Sequence, residues 1–361
     1  MKPIEMACIG FDLDETLGRF SVPFYHLLFL QPHTSLYREA WSGLYGTEKI
    51  AEPIPLSESL QSKLDHAFDL FVDCIAQENQ ETLGLLRPGI FEIARRLYEL
   101  KLTTPPKVRA VVIYSNNGNM ATLRLAAALI EKVANTPGLF CNFVHRFHPS
   151  RASEVTVGDP GNATKTLQTL VNAFEEGGCP RDEIRVENIY FFDDRRHDDI
   201  ADVIGPRYFL VPPYKFDADP VVFNRCFVKA FQSAGLLQDK EYWSYISPMK
   251  TTTIKDIWQY LQSSQITTFR KQRVNNTAVL TKFNKVFPPL PPVSQNEFRT
   301  ALKTMRRLEQ MQNKGVSLNA NQATTLAKAK STLTQFEAQN PNRSGGSHSK
   351  KTRRRRRGPK N

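Results

Sequence analysis

The sequence predicts an α/β protein built on a parallel sheet with helices on both faces. Three observations carry that expectation. Cys8–Phe11 is an apolar run that ends in two carboxylates one residue apart, Asp12 and Asp14. Arg109–Ser115 is a β-branched run that ends in a hydroxyl, and Ile189–Phe192 runs straight into Asp193 and Asp194. Short, wholly apolar runs are how strands buried on both faces read. In open sheets of this class ligands bind beyond the carboxyl ends of the strands, which is where all three runs turn polar.

Composition narrows the rest. The 361 residues are 40% hydrophobic and 23% charged, ordinary values for a globular chain, with a formal net charge of +12. That charge is unevenly spread. Residues 1–240 hold 25 Lys and Arg against 31 Asp and Glu, residues 241–342 hold 14 against 5, and residues 343–361 hold 9 against none. The part carrying the acids is mildly acidic, and the C-terminal third is strongly basic. No apolar run reaches the ~18 residues of a membrane span, and the N-terminus lacks a secretory layout, so no membrane partner and an intracellular location, nucleus or cytoplasm, are expected. Five scattered cysteines without a C-x-x-C pair indicate neither a disulfide frame nor a zinc site, and most read as buried small hydrophobes.

Taken in order, Asp12–Leu17 spells DLDETL. An EF-hand loop also begins D-x-D, but it needs Gly sixth and Glu twelfth, where this chain has Leu17 and Pro23, so that reading is excluded. Residues 18–86 read as a helical insertion, clearest where Leu60, Leu64, Phe68, Phe71 and Ile75 recur at helical spacing. After Leu86-Arg87-Pro88-Gly89, the apolar face of Ile90, Ile93, Ala94 and Leu97 predicts a helix entered through proline. Ser115 is followed by Asn116-Asn117-Gly118-Asn119, a turn whose N–H groups, with the Ser115 hydroxyl, suit a phosphoryl oxygen. Lys165 stands at the start of a helix carrying Leu167, Leu170, Val171 and Phe174. The macrodipole disfavours a cation there, which points to another role for that side chain. Ile189–Asp199 adds Asp193, Asp194, Asp198 and Asp199, with His197 a hydrogen-bonding turn residue, and Arg207–Val211 reads as the next strand.

Asp-x-Asp-x-Thr-Leu after an apolar strand, a strand ending in Ser, a later Lys, and an acid pair after a further strand resemble the four motifs of the haloacid dehalogenase (HAD) superfamily of phosphohydrolases. DLDETL and the Arg-Pro-Gly helix are most similar to the RNA polymerase II C-terminal-domain phosphatase branch. The reading FDDRRHDD departs from that branch, whose members usually have Ser-Pro after the acids. The resemblance covers roughly residues 4–215. It implies a Rossmann-like core, with 18–86 as a cap over the site, and hydrolysis of a phosphate monoester. Asp12 would be the nucleophile and Asp14 the general acid and then base. Thr16, Ser115, Asn116 and Lys165 would hold the phosphate, with Arg146 or Arg151 as substitutes for the lysine. Mg²⁺ would be bound among Asp12, Asp14, Asp193, Asp194 and Asp198, with either member of the Asp193–Asp194 pair as the ligand. The substrate class stays open between a phosphoprotein or nucleic-acid end and a capped metabolite or nucleotide. A non-catalytic scaffold is the rival reading.

The expected organisation is a catalytic domain over residues 1–240, a partly helical, proline-rich linker over 241–292, a helical hairpin over 293–340 and a disordered basic tail over 341–361. Phe287–Pro292 supplies the prolines, and Ser294 with Glu297 forms a capping-box signature for the first hairpin helix. The tail has no aliphatic or aromatic side chain and contains Lys350, Lys351 and Arg353–Arg357. It is expected to stay unfolded and to contact nucleic acid or an import receptor.

Overall fold

The computed structural model describes residues 6–31, 55–151, 154, 164–216, 218–246, 277–288, 292–313 and 317–339. The basic tail and the middle of the 18–86 insertion lie outside the described residues. Five strands, β1 (Ala7–Phe11), β2 (Val108–Tyr114), β3 (Asn142–Val144), β4 (Ile189–Asp193) and β5 (Tyr208–Leu210), form one all-parallel sheet in the order β3-β2-β1-β4-β5. β1 is central, with Phe11 opposite Ile113 on one side and Phe192 on the other. The residues that follow these strands therefore emerge side by side on one edge.

The pleat sends alternate side chains to opposite faces. Cys8, Val112, Tyr114 and Phe191 pack on Leu170 and Phe174 of α5 (Leu167–Glu176) and on Ile200 of α6 (Asp198–Ile204). Gly10 is required in the middle of β1, because a Cβ there would lie 2.7 Å from the Phe191 ring and 2.8 Å from Leu170. The opposite face is aromatic. Phe192 stacks between Phe11 and Phe209 at centroid distances of 4.8 and 4.5 Å. That face is covered in part by α9 (Thr277–Val286), whose Phe283 meets Phe192 and whose following Phe287 meets Tyr190 at 5.0 Å.

This last contact corrects the expected linker boundary. Phe283 and Phe287 are 0% and 1% exposed, and the first compact unit runs to Pro288. A ring in the last turn of α9 and a second ring just beyond it anchor this segment on the sheet.

The described part of the insertion is helical: α1 (Ser21–Leu28) and α2 (Glu58–Ala76), the latter N-capped by Ser57 accepting from the Leu60 N–H at 3.1 Å. Rather than forming a core of its own, it shares one with α7 (Pro220–Ser233). Phe71 and His26 pack on Phe227 at 5.9 and 5.3 Å. Cys74 of α2 and Cys226 of α7 are joined by a disulfide, which corrects the reading of the cysteines as unpaired, and Cys8, Cys141 and Cys179 remain free. No described helix is long and apolar enough to cross a membrane.

The second unit contains a helical hairpin, α10 (Gln295–Asn313) and α11 (Ala320–Gln339). Ala301, Ala329 and Leu333 form its small core with Phe298, Leu302 and Met305, and Phe298 stacks on Phe336 at 4.2 Å. The Ser294–Glu297 box forms, with the Ser294 N–H donating to Glu297 at 2.7 Å and the Glu297 N–H donating to Ser294 at 3.2 Å.

Candidate active site

The edge where β1, β2 and β4 end holds a cavity of about 210 Å³ lined by Asp12, Asp14, Glu15, Ser115, Asn116, Asn117, Lys165, Asp193, Asp194, Arg195 and His197. The loop leaving β1 is fixed in an uncommon conformation. Glu15 has φ +60°, a left-handed backbone seldom adopted by a residue with a Cβ, and such residues persist where surrounding contacts impose them. Those contacts include the Tyr214 N–H donating to the Glu15 carbonyl at 2.8 Å, the Glu15 N–H donating to the Gly18 carbonyl at 2.6 Å, and Arg87, which is 2% exposed. Its Nε donates to the Thr16 carbonyl at 2.7 Å, and its Nη2 donates to the carbonyls of Glu15 at 2.5 Å and Pro212 at 2.6 Å. Burial lowers the guanidinium to about 10, still charged at neutral pH.

Lys165 is the centre of the charge arrangement. Its Nζ lies 2.5 Å from Asp12 Oδ1 and 2.6 Å from Asp193 Oδ2, with only 1% of the side chain exposed. Burial disfavours its charge, but Asp12 and Asp193 more than offset this and hold the ammonium above its ordinary value. Burial raises Asp12, and the Asp193 charge adds to the effect against Lys165. Asp193 is held low by Lys165 and His197 despite its own burial. Both Asp193 oxygens are engaged: Oδ1 accepts from the Arg195 N–H at 2.8 Å, and Oδ2 faces Lys165 and His197 Nε2, the latter at 3.4 Å. The other His197 nitrogen accepts from the Lys165 N–H at 3.3 Å, which orients the ring.

Asp14 is placed by two donors, the Asn117 amide at 2.9 Å on Oδ2 and the Phe20 N–H at 3.4 Å on Oδ1, while burial raises its carboxyl. Ser115 is 1% exposed, and its hydroxyl accepts from the Asn117 N–H at 3.1 Å, closing the turn after β2. Beneath that turn lies a buried network. Arg151 donates to the Ser115 carbonyl and to Asn116 Oδ1, each at 2.7 Å, and pairs with Glu154 at 2.7 Å. Glu154 also accepts from Tyr114 at 2.8 Å and from the Thr166 hydroxyl at 2.6 Å. The network thereby joins the Ser115–Asn116 turn to the segment carrying Lys165.

The structure thus brings Asp12, Asp14, Ser115, Asn116, Lys165, Asp193 and Asp194 to one cavity. Two expected members are corrections. Asp198 lies on the first turn of α6 with its side chain 77% exposed and paired to Arg196 at 2.7 Å, so it does not join the acids. Thr16 is 3% exposed, and its hydroxyl is 3.5 Å from Asp194 Oδ1, so it touches an acid and does not line the cavity. Arg151 is committed to the buried network and is no substitute for Lys165. None of the described residues between 18 and 86 lines the cavity either, so the cap expectation finds no support among them. Asn117, Arg87 and the Arg151–Glu154 pair were missed. Asn117 was within sight, standing in a turn already singled out.

Among the described residues Asp12, Asp193 and Asp194 offer carboxylate oxygens within 4.8 Å of one another. The donor set fits Mg²⁺: hard oxygens, with more buried negative charge than Lys165 balances. Asp193 already faces three protein donors, so Asp12 and Asp194 offer the freer oxygens of the three. No family model, curated protein or solved structure matches the chain. The class rests on the fold and site alone: a parallel α/β protein with a buried carboxylate–lysine cluster at the carboxyl edge of its sheet.

Proposed function

We propose that this chain is a Mg²⁺-dependent phosphohydrolase of HAD type that cleaves a phosphate monoester through an aspartyl-phosphate. The observation that carries the reading is Lys165 held between Asp12 and Asp193, with Ser115 lining the same small cavity. Asp12 Oδ2, which has no hydrogen-bond partner among the described residues, attacks phosphorus, and the bond to the leaving oxygen breaks as Asp14 delivers its proton there. The Asp14 carboxylate then takes a proton from water as that water displaces Asp12 and releases phosphate. The raised Asp14 carboxyl suits both halves of this exchange. Lys165, the Ser115 hydroxyl and the turn N–H groups face the phosphoryl oxygens, stabilising charge that develops in the transition state. Mg²⁺ held by Asp12, Asp194 and the Asp14 carbonyl would supply charge neutralisation at the phosphoryl group.

Asp12→Asn is expected to abolish hydrolysis of p-nitrophenyl phosphate while leaving the circular-dichroism spectrum and unfolding temperature close to those of the parent. Removal of Mg²⁺ with EDTA is expected to silence the parent reversibly. Absence of any Mg²⁺-dependent turnover by the unmodified protein would instead favour the scaffold reading.

A further inference from the structure

The carboxyl end of β3, one strand beyond the Ser115 turn, carries a feature that the phosphoryl chemistry leaves unused. Phe147 is 55% exposed and is the one aromatic ring among the large exposed apolar side chains of the described residues. Its ring packs against the turn: a Cβ on Gly118 would come within 2.7 Å of it, so a side chain at 118 would push the ring away. The Arg146 guanidinium sits 5.5 Å from the ring centroid, and its Nε is buried without a hydrogen-bond partner. No carboxylate among the described residues pairs with Arg146. The two residues are tied to the cavity, because the Arg146 N–H donates to the Asn117 carbonyl at 3.0 Å and the Asn117 amide holds Asp14 at 2.9 Å. β3 is two strand positions from β1, about 10 Å at ordinary strand spacing.

We propose that Phe147 and Arg146 form a base-stacking subsite beside this cavity, joined to its lining through Asn117. Phe147 stacks on the nucleobase next to the scissile phosphate, and Arg146 takes the adjoining phosphodiester, so the substrate is a terminally phosphorylated single-stranded nucleic acid. The inference rests on the phosphohydrolase reading of the site. An exposed ring beside a guanidinium with no carboxylate partner among the described residues matches a ligand that offers a flat face and a second phosphate in fixed succession, as each nucleotide of a strand does. The basic excess of residues 241–361 favours the same polyanionic class.

The test uses the full chain with three substrates: a 3′- or 5′-phosphorylated oligonucleotide, a base-free phosphorylated sugar and a phosphoserine peptide. For Phe147→Ala, the ratio of kcat/KM for the oligonucleotide to that for the base-free sugar is expected to fall about 5- to 150-fold, the range one stacked base contributes. Phe147→Trp is expected to restore the ratio, and Arg146→Gln to lower it with a weaker salt dependence. An unchanged ratio in Phe147→Ala, or a phosphopeptide preferred by the parent and lost in that variant, overturns the proposal. If the parent hydrolyses none of the three, the phosphohydrolase reading fails by itself. Fluorescence anisotropy of a labelled phosphorylated oligonucleotide on Asp12→Asn, with and without Phe147→Ala, then decides the subsite, and equal affinities reject it.

Discussion

Glu154 shows how one side chain governs a site it does not enter. Its carboxylate is desolvated, which alone would raise it. The Thr166 and Thr169 hydroxyls, Arg151 and Tyr114 all donate to it and hold it below the ordinary carboxylate range. A group whose value is depressed in the folded state stabilises the fold above its unfolded value, here about 4.5, and that stabilisation is lost as pH falls through the folded value. Glu154→Gln keeps the shape and removes the charge, leaving Arg151 buried without its counter-ion. We expect it to lower stability by about 2 kcal/mol at pH 7. The difference from the parent should shrink as pH falls below about 4.5. Denaturant unfolding at pH 7 and pH 4 checks this, and a gap that widens on acidification would contradict it. Activity should fall with it, since the same carboxylate links the Ser115 turn to Lys165.

Among elements, Arg87 does for the β1 loop what Glu154 does for the β2 turn. It bridges the β1 loop and the segment after β5 by donating to carbonyls of Glu15, Thr16 and Pro212. Arg87→Met takes the guanidinium from the Thr16 and Pro212 carbonyls and leaves Glu15 held by the Tyr214 N–H on its carbonyl and by its own N–H on the Gly18 carbonyl. A loss of about 3–5 kcal/mol is expected by denaturant unfolding. The Cys74–Cys226 disulfide closes 152 residues between two helices remote from the cavity lining. Its reduction is expected to lower stability by about 2–4 kcal/mol, read as a fall in unfolding temperature, with turnover retained at ambient temperature. The strand ends were legible because an apolar run that stops at a carboxylate or hydroxyl is a local signal. Lys165 was legible because its place before a helix is unfavourable for a cation. Arg87 and Cys226 were not, because their partners are set by the tertiary fold 71 to 152 residues away. Asp198 was misread because spacing along the chain does not fix which way a residue in the first turn of a helix faces.

At the scale of the whole molecule, charge divides along the chain: the acid-bearing 240 residues carry more Asp and Glu than Lys and Arg, and everything beyond is basic. On the proposed reading, the acids around the phosphoryl group repel other polyanions at that face, so cations elsewhere in the chain would add to the affinity for a nucleic acid. The sequence puts nine Lys and Arg in residues 343–361 with no acid among them. Each phosphate neutralised on a single strand contributes about −0.7 to the slope of log affinity against log salt. Nine full contacts therefore set a ceiling of about −6 for the tail's share of that slope. A chain ending at residue 340 is expected to bind single-stranded nucleic acid more weakly and with a flatter salt dependence, by up to that amount. Hydrolysis of p-nitrophenyl phosphate should be unchanged, since the described residues that line the cavity fall between 12 and 197. Anisotropy titrations from low to moderate salt measure both affinity and slope. A truncated chain that keeps the full slope would transfer the polyanion contact to the cations of α10, Arg299, Lys303, Arg306 and Arg307, and would leave the tail without a binding role.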